Sequence, residues 1–219
     1  MSFDKAARRT AQIAYDLDFK GAPMMFSWPS EGSLLAYLSD REDVEWSAVH
    51  IERFLSDLLT QAKVRKLHLI AHSMGNQGLI RALYVMALRN ADRSSPLFEN
   101  VILAAPDFDA QRFNEELAPE IISLAKRWTL YASDKDTALD ASTALAAKRL
   151  GLPLSVAPGV DTVDASGVEV TPWSVPEFHS YYASKLRVLR DLIGVLDGLA
   201  PVERNLRKRD KNKLIYWTF

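Results

Sequence analysis

The sequence predicts an α/β fold, in which a mostly parallel sheet carries helices on both faces. Short apolar runs of strand length alternate along the chain with amphipathic stretches of helix length. Such alternation is typical of βαβ units, whose strands become buried on both sides. Hydrophobic residues make up 48% of the 219 residues, which is enough to build a substantial core. Ligands of these folds bind at the carboxyl ends of the strands.

Five segments have helical periodicity. The clearest is an apolar stripe whose spacing alternates between four and three residues, beginning at Val44 and ending at Ala62. A second, after residue 75, is apolar on most faces and is therefore expected to be buried on two sides. The predicted helices cover residues 3–19, 44–62, 75–90, 137–150 and 182–196.

Five apolar runs have the length of strands, and several end at proline or polar turn residues. The predicted strands cover residues 22–28, 66–71, 100–105, 127–133 and 159–165. About 20 residues separate the third and fourth strands, too few for a large cap domain. Residues 1–200 are therefore expected to form one domain, followed by a tail at 201–219 that is first basic and then apolar.

Composition excludes several classes of protein. The net charge is −1, so no nucleic-acid partner is expected. There are no cysteines, which excludes disulfides and thiolate chemistry. No apolar run is long enough for a transmembrane segment and the first residues lack a signal-peptide pattern, so a cytoplasmic location is expected. No cofactor or metal is expected, since the sequence has no glycine-rich phosphate loop and no helical metal-ligand spacing.

Ser73 is the candidate nucleophile. The segment Ala71–Gly75, AHSMG, fits the pattern small-x-Ser-x-Gly between a predicted strand and a buried helix. A nucleophile elbow favours small residues on either side of the serine, because the turn is tight and strained. The alternative is that Ser73 is only the N-cap of the following helix.

His179 is the candidate base among four histidines. In the hydrolase chain order of serine, acid and histidine the base comes last, and only His179 follows the last strand. The alternative for His179 is a polar residue at a helix start. His50 is expected to be solvated, His68 to be packed within a strand, and His72 to line the site.

The candidate acid lies after a strand and before His179. Asp136 is preferred, because it follows the later strand. Asp134 in the same turn and Asp107 after the preceding strand remain alternatives. Trp28 and Ser30, at the end of the first predicted strand and just past it, are candidate substrate-lining residues, with core packing and a turn as the alternative.

The chain resembles a bacterial α/β-hydrolase family of unknown function in the esterase and lipase superfamily. The motifs FSWPS, AHSMGN and YAS followed by Asp136 recur in order between Ser2 and about Tyr182. The resemblance implies Ser73 as nucleophile, Asp136 as acid and His179 as base, with the Met74 N–H as one oxyanion donor.

The sequence departs from the family pattern at its start. Members of the family have a strand ending in His-Gly-aromatic-Asn before the first helix, and here that helix follows Met1 directly. The loop after that strand supplies a second oxyanion donor. The expectation is therefore a truncated, weakly active and aggregation-prone hydrolase with an uncovered sheet edge.

These observations predict a serine hydrolase that cleaves carboxylic esters through an acyl-enzyme, acting on a small-molecule or lipid-like ester. Thioesterase or acyltransferase activity would use the same residues. The rival from another class is a hydrolase-fold protein without turnover that serves as a binding or interaction module.

Overall fold

The structure is a computed structural model that describes residues 2–31, 36–62, 64–92, 94–136, 148–151, 155–168, 185–211 and 213–219. Its α-helices are α1 (Phe3–Asp16), α2 (Tyr37–Thr60), α3 (Gly75–Arg89), α4 (Ala110–Arg112), α5 (Ala118–Ile121) and α6 (Leu186–Leu196). A π-helical turn (Phe113–Leu117) joins α4 to α5, and a 3-10 turn (Ile122–Leu124) follows α5. The strands are β1 (His68–His72), β2 (Phe98–Ala104), β3 (Ala125–Ala132), β4 (Asp161–Asp164), β5 (Arg207–Lys211) and β6 (Leu214–Thr218).

The strands form one six-stranded sheet in the order β1-β2-β3-β4-β6-β5. All neighbouring pairs are parallel except β5 and β6, which form an antiparallel hairpin. The predicted α/β class with a mostly parallel sheet is therefore confirmed. The parallel strands end together, so the turns after β1, β2 and β3 meet at one edge of the sheet.

Helices cover both faces of the sheet, as the alternation predicted. Along β2, Val101 and Leu103 pack into the cluster on the α2 and α3 side, while Ile102 and Ala104 pack into the cluster that contains the buried residues of α6. This is the expected result of strand geometry, in which successive side chains point to opposite faces. The strand is a nearly continuous apolar run in the sequence because both of its faces are buried.

Close packing between α2 and α3 depends on one glycine. A Cβ placed on Gly78 would lie 2.8 Å from Ile51 Cδ1 and 3.0 Å from Val44 Cγ2. Side chains on α2 would have to shift to admit any larger residue. Gly78 thus lets α3, which carries the candidate nucleophile at its start, lie directly against α2.

Helix α1 is a surface helix with a conventional start. The Ser2 hydroxyl accepts a hydrogen bond from the Lys5 N–H at 3.5 Å, and Asp4 stands in the first turn. Both features stabilise a helix N-terminus, through capping and through the helix dipole. Ile13 packs against the same cluster as α6, so α1 covers part of that face.

The predicted strand at residues 22–28 is wrong. The structure has irregular backbone there, and no described strand pairs with this segment. A strand needs a partner for its ladder of hydrogen bonds, whereas this segment packs through side chains instead. The Phe26 ring lies 6.1 Å from the Phe54 ring of α2, between centroids.

The connection between β2 and β3 contains no cap domain. Residues 105–124, all of which are described, form only α4, the π-helical turn, α5 and the 3-10 turn, besides the loop that precedes them. The prediction of a short helical connection is therefore confirmed. The predicted helix at 137–150 lies mostly outside the described residues, and the last helix is described from Leu186.

Residues 207–211 and 214–218, predicted as part of a tail, form the two strands of the β5–β6 hairpin. Strand β6 pairs in parallel with β4 through Val163 with Trp217 and Asp164 with Thr218. The apolar part of the segment is thus joined to the sheet, whereas every residue of β5 is exposed. Among the described helices, none is both long and apolar enough to cross a membrane.

Candidate active site

Ser73 occupies a strained turn between β1 and α3. Its φ angle is +52°, in the left-handed region that residues other than glycine rarely adopt. Such a conformation costs about 1–3 kcal/mol and persists only where the surroundings enforce it. The predicted strand-turn-helix placement of the serine is confirmed, since β1 ends at His72 and α3 begins at Gly75.

Backbone hydrogen bonds hold this turn on the neighbouring strand. The Ser73 N–H donates to the Ala104 carbonyl at 3.0 Å. The Ser73 carbonyl accepts from the backbone N–H groups of Asn76 at 3.1 Å and Asp107 at 3.2 Å. The end of β2 and the loop after it therefore enforce the conformation of the serine.

The loop after β2 contains a second strained residue. Ala105 has a φ of +42°, and its N–H donates to the Tyr131 carbonyl of β3 at 3.0 Å. Two neighbouring strand ends are thus both held in the left-handed region, a state that clusters at functional sites. Nothing in the sequence signals this, because alanine has no preference for the left-handed region.

The Ser73 hydroxyl is not used as a helix cap. Within the described residues it makes no hydrogen bond, and the N-cap position of α3 is Met74, without a side-chain cap bond. The alternative interpretation of Ser73 as an N-cap therefore has no support. The Met74 N–H likewise has no acceptor in the described part of the chain. It lies at the positive end of the α3 dipole, where an anionic oxygen is favoured.

The steric argument for Gly75 is not supported. A Cβ on Gly75 would meet no described atom within 4 Å. The close approach that needs a glycine falls one turn later, at Gly78. The left-handed φ of Ser73, rather than crowding at Gly75, is what identifies the turn as an elbow.

Two polar residues of α3, which the sequence analysis did not select, support the elbow. Asn76 is fully buried, and its Nδ2 donates to the Ser73 carbonyl at 2.8 Å. Gln77 Nε2 donates to the Asp107 carbonyl at 2.8 Å. The sequence signal that could have identified these two residues is a pair of amide side chains in the first turn of a largely apolar helix.

Asp107 is held in a buried ion pair. Its Oδ1 lies 2.9 Å from Arg149 Nε, and both side chains are 3% exposed. Its Oδ2 accepts a hydrogen bond from the Tyr37 hydroxyl at 2.8 Å. The carboxylate therefore has a structural role, tying α2 to the loop after β2 and to Arg149.

Asp136 and Asp134 follow β3 and differ in burial. Asp136 is fully buried, and its N–H donates to the Ser133 carbonyl at 3.4 Å. Asp134 is exposed, and its N–H donates to the Ser166 hydroxyl at 2.8 Å. Of the two acids after this strand, only Asp136 is shielded from water.

The structure describes three of the four histidines. His50 is exposed on α2, as predicted. His68 is half-buried in β1 with Nδ1 2.9 Å from Asn100 Nδ2, and burial lowers its pKa. Because the Asn100 amide is the donor, this nitrogen is the acceptor and the proton lies on Nε2. His72 is half-buried next to Ser73. His179 lies outside the described residues.

The candidate lining residues Trp28 and Ser30 lie in the irregular segment before α2. The Ser30 hydroxyl donates to Asp40 Oδ2 at 3.0 Å, and the Glu31 N–H donates to Asp40 Oδ1 at 2.8 Å. Ser30 thus takes part in attaching this segment to the start of α2. Trp28 is half-buried. The strand that placed both residues at a strand end is absent, so that argument for substrate lining is withdrawn.

A cleft of about 320 Å³ lies beside the loop after β2. Its walls come from α2, α3 and the α4 region, and include Gln77, Phe108 and Arg149. The cleft contains both arginines and acids, so it has no single sign of charge. Within the described residues there is no group of three or more side chains suited to hold a metal ion.

A serine in a left-handed turn, placed between a strand and a helix at the carboxyl edge of a mainly parallel sheet, is the arrangement of the α/β-hydrolase class. The chain belongs to the family described as "Alpha/beta hydrolase of unknown function (DUF900)", which matches residues 1–195. The membership inferred from the sequence motifs is therefore confirmed, and the hairpin at 207–218 lies beyond the matched region.

The similarity to a curated protein is local. An uncharacterized protein, alr1448, of Nostoc sp. (strain PCC 7120 / SAG 25.82 / UTEX 2576) is 43% identical over 51 residues. This stretch covers 23% of the present chain and 13% of the Nostoc protein, so it spans far less than two thirds of that protein. No solved structure matches the chain significantly.

Proposed function

We propose that this protein is a serine hydrolase that cleaves carboxylic esters through an acyl-enzyme, with Ser73 as the nucleophile. The observation that carries the proposal is the left-handed conformation of Ser73, at a φ of +52°. A nucleophile elbow uses this strained turn to expose the serine oxygen at the top of the sheet. Membership of an α/β-hydrolase family supports the same role.

The acid of the proposed triad is Asp136. It follows β3, which is the later of the two strands that precede a candidate acid, and it is fully buried. A buried carboxylate can orient a histidine and stabilise the imidazolium. Asp107 is the weaker candidate, because Arg149 and Tyr37 already occupy both of its oxygens.

The proposed base is His179, on the grounds of chain order. The hydrolase order places the histidine after the acid, and no other histidine follows Asp136 in the sequence. His68, in β1, is a poor candidate for the base because its Nδ1 accepts a hydrogen bond from the Asn100 amide.

The reaction follows from these assignments. His179 takes the proton of the Ser73 hydroxyl as the oxygen attacks the ester carbonyl carbon. The developing oxyanion is placed near the Met74 N–H at the start of α3, where backbone donors stabilise it. His179 then returns the proton to the leaving alcohol, and the Ser73 acyl ester remains. Water, deprotonated by the same histidine, releases the carboxylic acid.

Labelling by a fluorophosphonate tests the proposal, since this reagent needs an activated serine. We expect the full chain to be labelled on the peptide that contains Ser73, and Ser73→Ala to lose the label. Ser95→Ala is the matched control, because Ser95 is exposed and lies in the connection before β2. Absence of label from the wild type, or label that survives in Ser73→Ala, would favour a hydrolase-fold binding protein instead.

Activity on a short activated ester tests the base. Ser73→Ala and His179→Ala should each remove nearly all turnover, and the double variant should be little worse than either one, because triad residues act as a unit. Losses that multiply in the double variant would contradict a shared mechanism. Comparison of an ester with an acyl thioester of the same chain length separates esterase from thioesterase activity.

A further inference from the structure

The β5–β6 hairpin has a charge pattern that the proposed hydrolase does not use. Residues 207–211 and 213–219 contain five basic side chains and one acid. The basic residues are Arg207, Lys208, Arg209, Lys211 and Lys213. All of them are exposed, in a chain whose overall charge is −1. The hairpin therefore has a local excess of positive charge, outside the region that matches the family.

The pairing register places three of these cations in a row. In the hairpin Arg207 lies opposite Thr218, Arg209 opposite Tyr216, and Lys211 opposite Leu214. Directly opposed residues share a face, and alternate residues on a strand are about 6.8 Å apart. The three cations thus form a line along β5, which is the edge strand of the sheet.

Exposed aliphatic side chains accompany the cations at the turn of the hairpin. Leu214 is 37% exposed and Ile215 is 44% exposed, directly after Lys213. Charged residues on an edge strand discourage pairing with other sheets. This edge protection would explain the cations, but it gives no reason to expose Leu214 on the same face as the line of cations.

The three aromatic residues of the hairpin, Tyr216, Trp217 and Phe219, are half-buried, whereas its aliphatic residues are exposed. Trp217 packs against the core cluster on the α6 side. The Phe219 ring is covered by the Arg187 guanidinium, whose central carbon lies 5.7 Å from the ring centroid. Single-stranded nucleic acids are bound by stacking bases on free aromatic faces, so these rings favour a different polyanion.

We propose that the β5–β6 hairpin is a peripheral docking surface for an anionic lipid bilayer. The line of cations interacts with acidic headgroups, and Leu214, which lies opposite Lys211 on the same face, enters the interfacial region. Basic residues near an anionic surface each contribute about 1 kcal/mol, which corresponds to about fivefold in affinity. Weak electrostatic attraction together with a small apolar insertion is sufficient for reversible binding.

Vesicle sedimentation of the full chain tests this proposal. We expect binding to phosphatidylcholine vesicles with about 30% phosphatidylserine, little binding to pure phosphatidylcholine, and a strong reduction between about 50 and 500 mM NaCl. The variant Arg207→Thr, Arg209→Thr, Lys211→Thr keeps residues suited to strands and should bind about 100-fold more weakly. The control Lys5→Gln, Arg8→Gln, Arg65→Gln removes three exposed cations elsewhere and should retain binding.

Further measurements test the apolar contribution, the fold of each variant and nucleic acid as the alternative ligand. Leu214→Ser should weaken vesicle binding mainly at high salt, where the apolar contribution dominates, whereas Ile215→Ser, on the opposite face of the hairpin, should have little effect. Circular dichroism of each variant verifies that the fold persists. Tighter binding to a single-stranded oligonucleotide than to the vesicles, lost in the β5 triple variant, would overturn the proposal in favour of nucleic acid. Equal loss in both triple variants, or no binding by the wild type, would also overturn it and leave edge protection as the role of the cations.

Discussion

Arg149 Nε lies 2.9 Å from Asp107 Oδ1, with both side chains almost completely buried. Arg149 is also within hydrogen-bond distance of the Tyr37 hydroxyl, which itself donates to Asp107. This arrangement joins α2, the loop after β2 and Arg149, and the Asp107 N–H in that loop donates to the Ser73 carbonyl at 3.2 Å. Asp107 therefore stabilises the loop that holds the turn, which makes it a weaker candidate for the triad acid than Asp136.

Asparagine substitutions at the two acids should therefore affect different properties: mainly activity at Asp136 and mainly stability at Asp107. Asp136→Asn is expected to reduce kcat on an activated ester by as much as about 10,000-fold, because an asparagine favours the wrong histidine tautomer. Asp107→Asn should retain more activity but destabilise the fold by about 3–5 kcal/mol, since it leaves the Arg149 charge buried without its counter-ion. Steady-state kinetics and chemical denaturation of the two variants measure both effects.

A specific result would reverse this assignment. If Asp107→Asn folded with unchanged stability and lost turnover, Asp107 would be the acid and its ion pair would be part of the catalytic machinery. Asp134→Asn serves as the control, because the Asp134 side chain is exposed and should influence neither quantity strongly.

The strain at Ser73 should be measurable as a reversal of the usual order of glycine and alanine. At a φ of +52°, glycine avoids a penalty of about 1–2 kcal/mol that alanine retains. Ser73→Gly should thus be more stable than Ser73→Ala by about 1 kcal/mol, or about 2–4 °C in Tm. Both variants should lack activity if Ser73 is the proposed nucleophile, so the strain would be a stability cost of placing that residue.

The same pair of substitutions on α2 provides the comparison. Ser56 is within the helix, where glycine is about 1 kcal/mol less favourable than alanine. Ser56→Gly should therefore be the less stable variant of that pair. If the glycine variant were less stable than the alanine variant at both positions, the turn at Ser73 would not be strained.

Patterns that depend on burial were readable from the sequence. The stripe from Val44 to Ala62 predicted α2, and the apolar runs before Ser73 and Pro106 predicted β1 and β2, because buried positions recur with the period of the element. The serine elbow was also predicted, since a strand, a short turn and a buried helix follow one another there. These elements are specified locally, so a single sequence contains their signal.

Features that depend on partners distant in sequence were not readable. Residues 22–28 have strand-like composition, but strand formation requires a neighbour, which the local pattern cannot supply. The ion pair of Asp107 with Arg149 joins residues far apart in the chain, and so does the pairing of β6 with β4. The left-handed φ of Ala105 arises from hydrogen bonds to the neighbouring strand rather than from the preference of alanine.

His68 should make the fold sensitive to acid. Burial lowers its pKa below the ordinary value of 6.5, with Glu99 opposing the shift and Lys66 adding to it. Below pH 6.5 the unfolded chain therefore binds more protons at this residue than the folded chain, so stability falls as the pH decreases toward the lowered pKa. His68→Gln keeps an acceptor for Asn100 and should show a smaller loss of Tm on acidification.

Thermal denaturation at a series of pH values between about 7 and 5 measures this effect. His50→Gln is the matched control, because His50 is exposed on α2 and its replacement should leave the pH dependence unchanged. A wild-type pH profile in His68→Gln, or the same flattening in His50→Gln, would contradict the assignment to His68.

The buried side chain of Arg204 ties the segment after α6 to the core. Its Nη1 lies 2.7 Å from Asp191 Oδ2 on α6, and both side chains are 1% exposed. Burial raises the pKa of Asp191, and the Arg204 charge counteracts that rise. A chain shortened to the family match at residue 195 would keep the Asp191 carboxylate in the core and lose the guanidinium that neutralises it. The match to the family thus stops before a cation that the core of this chain requires, and gene-fusion or domain-swapping work on this protein has to keep the chain at least through Arg204.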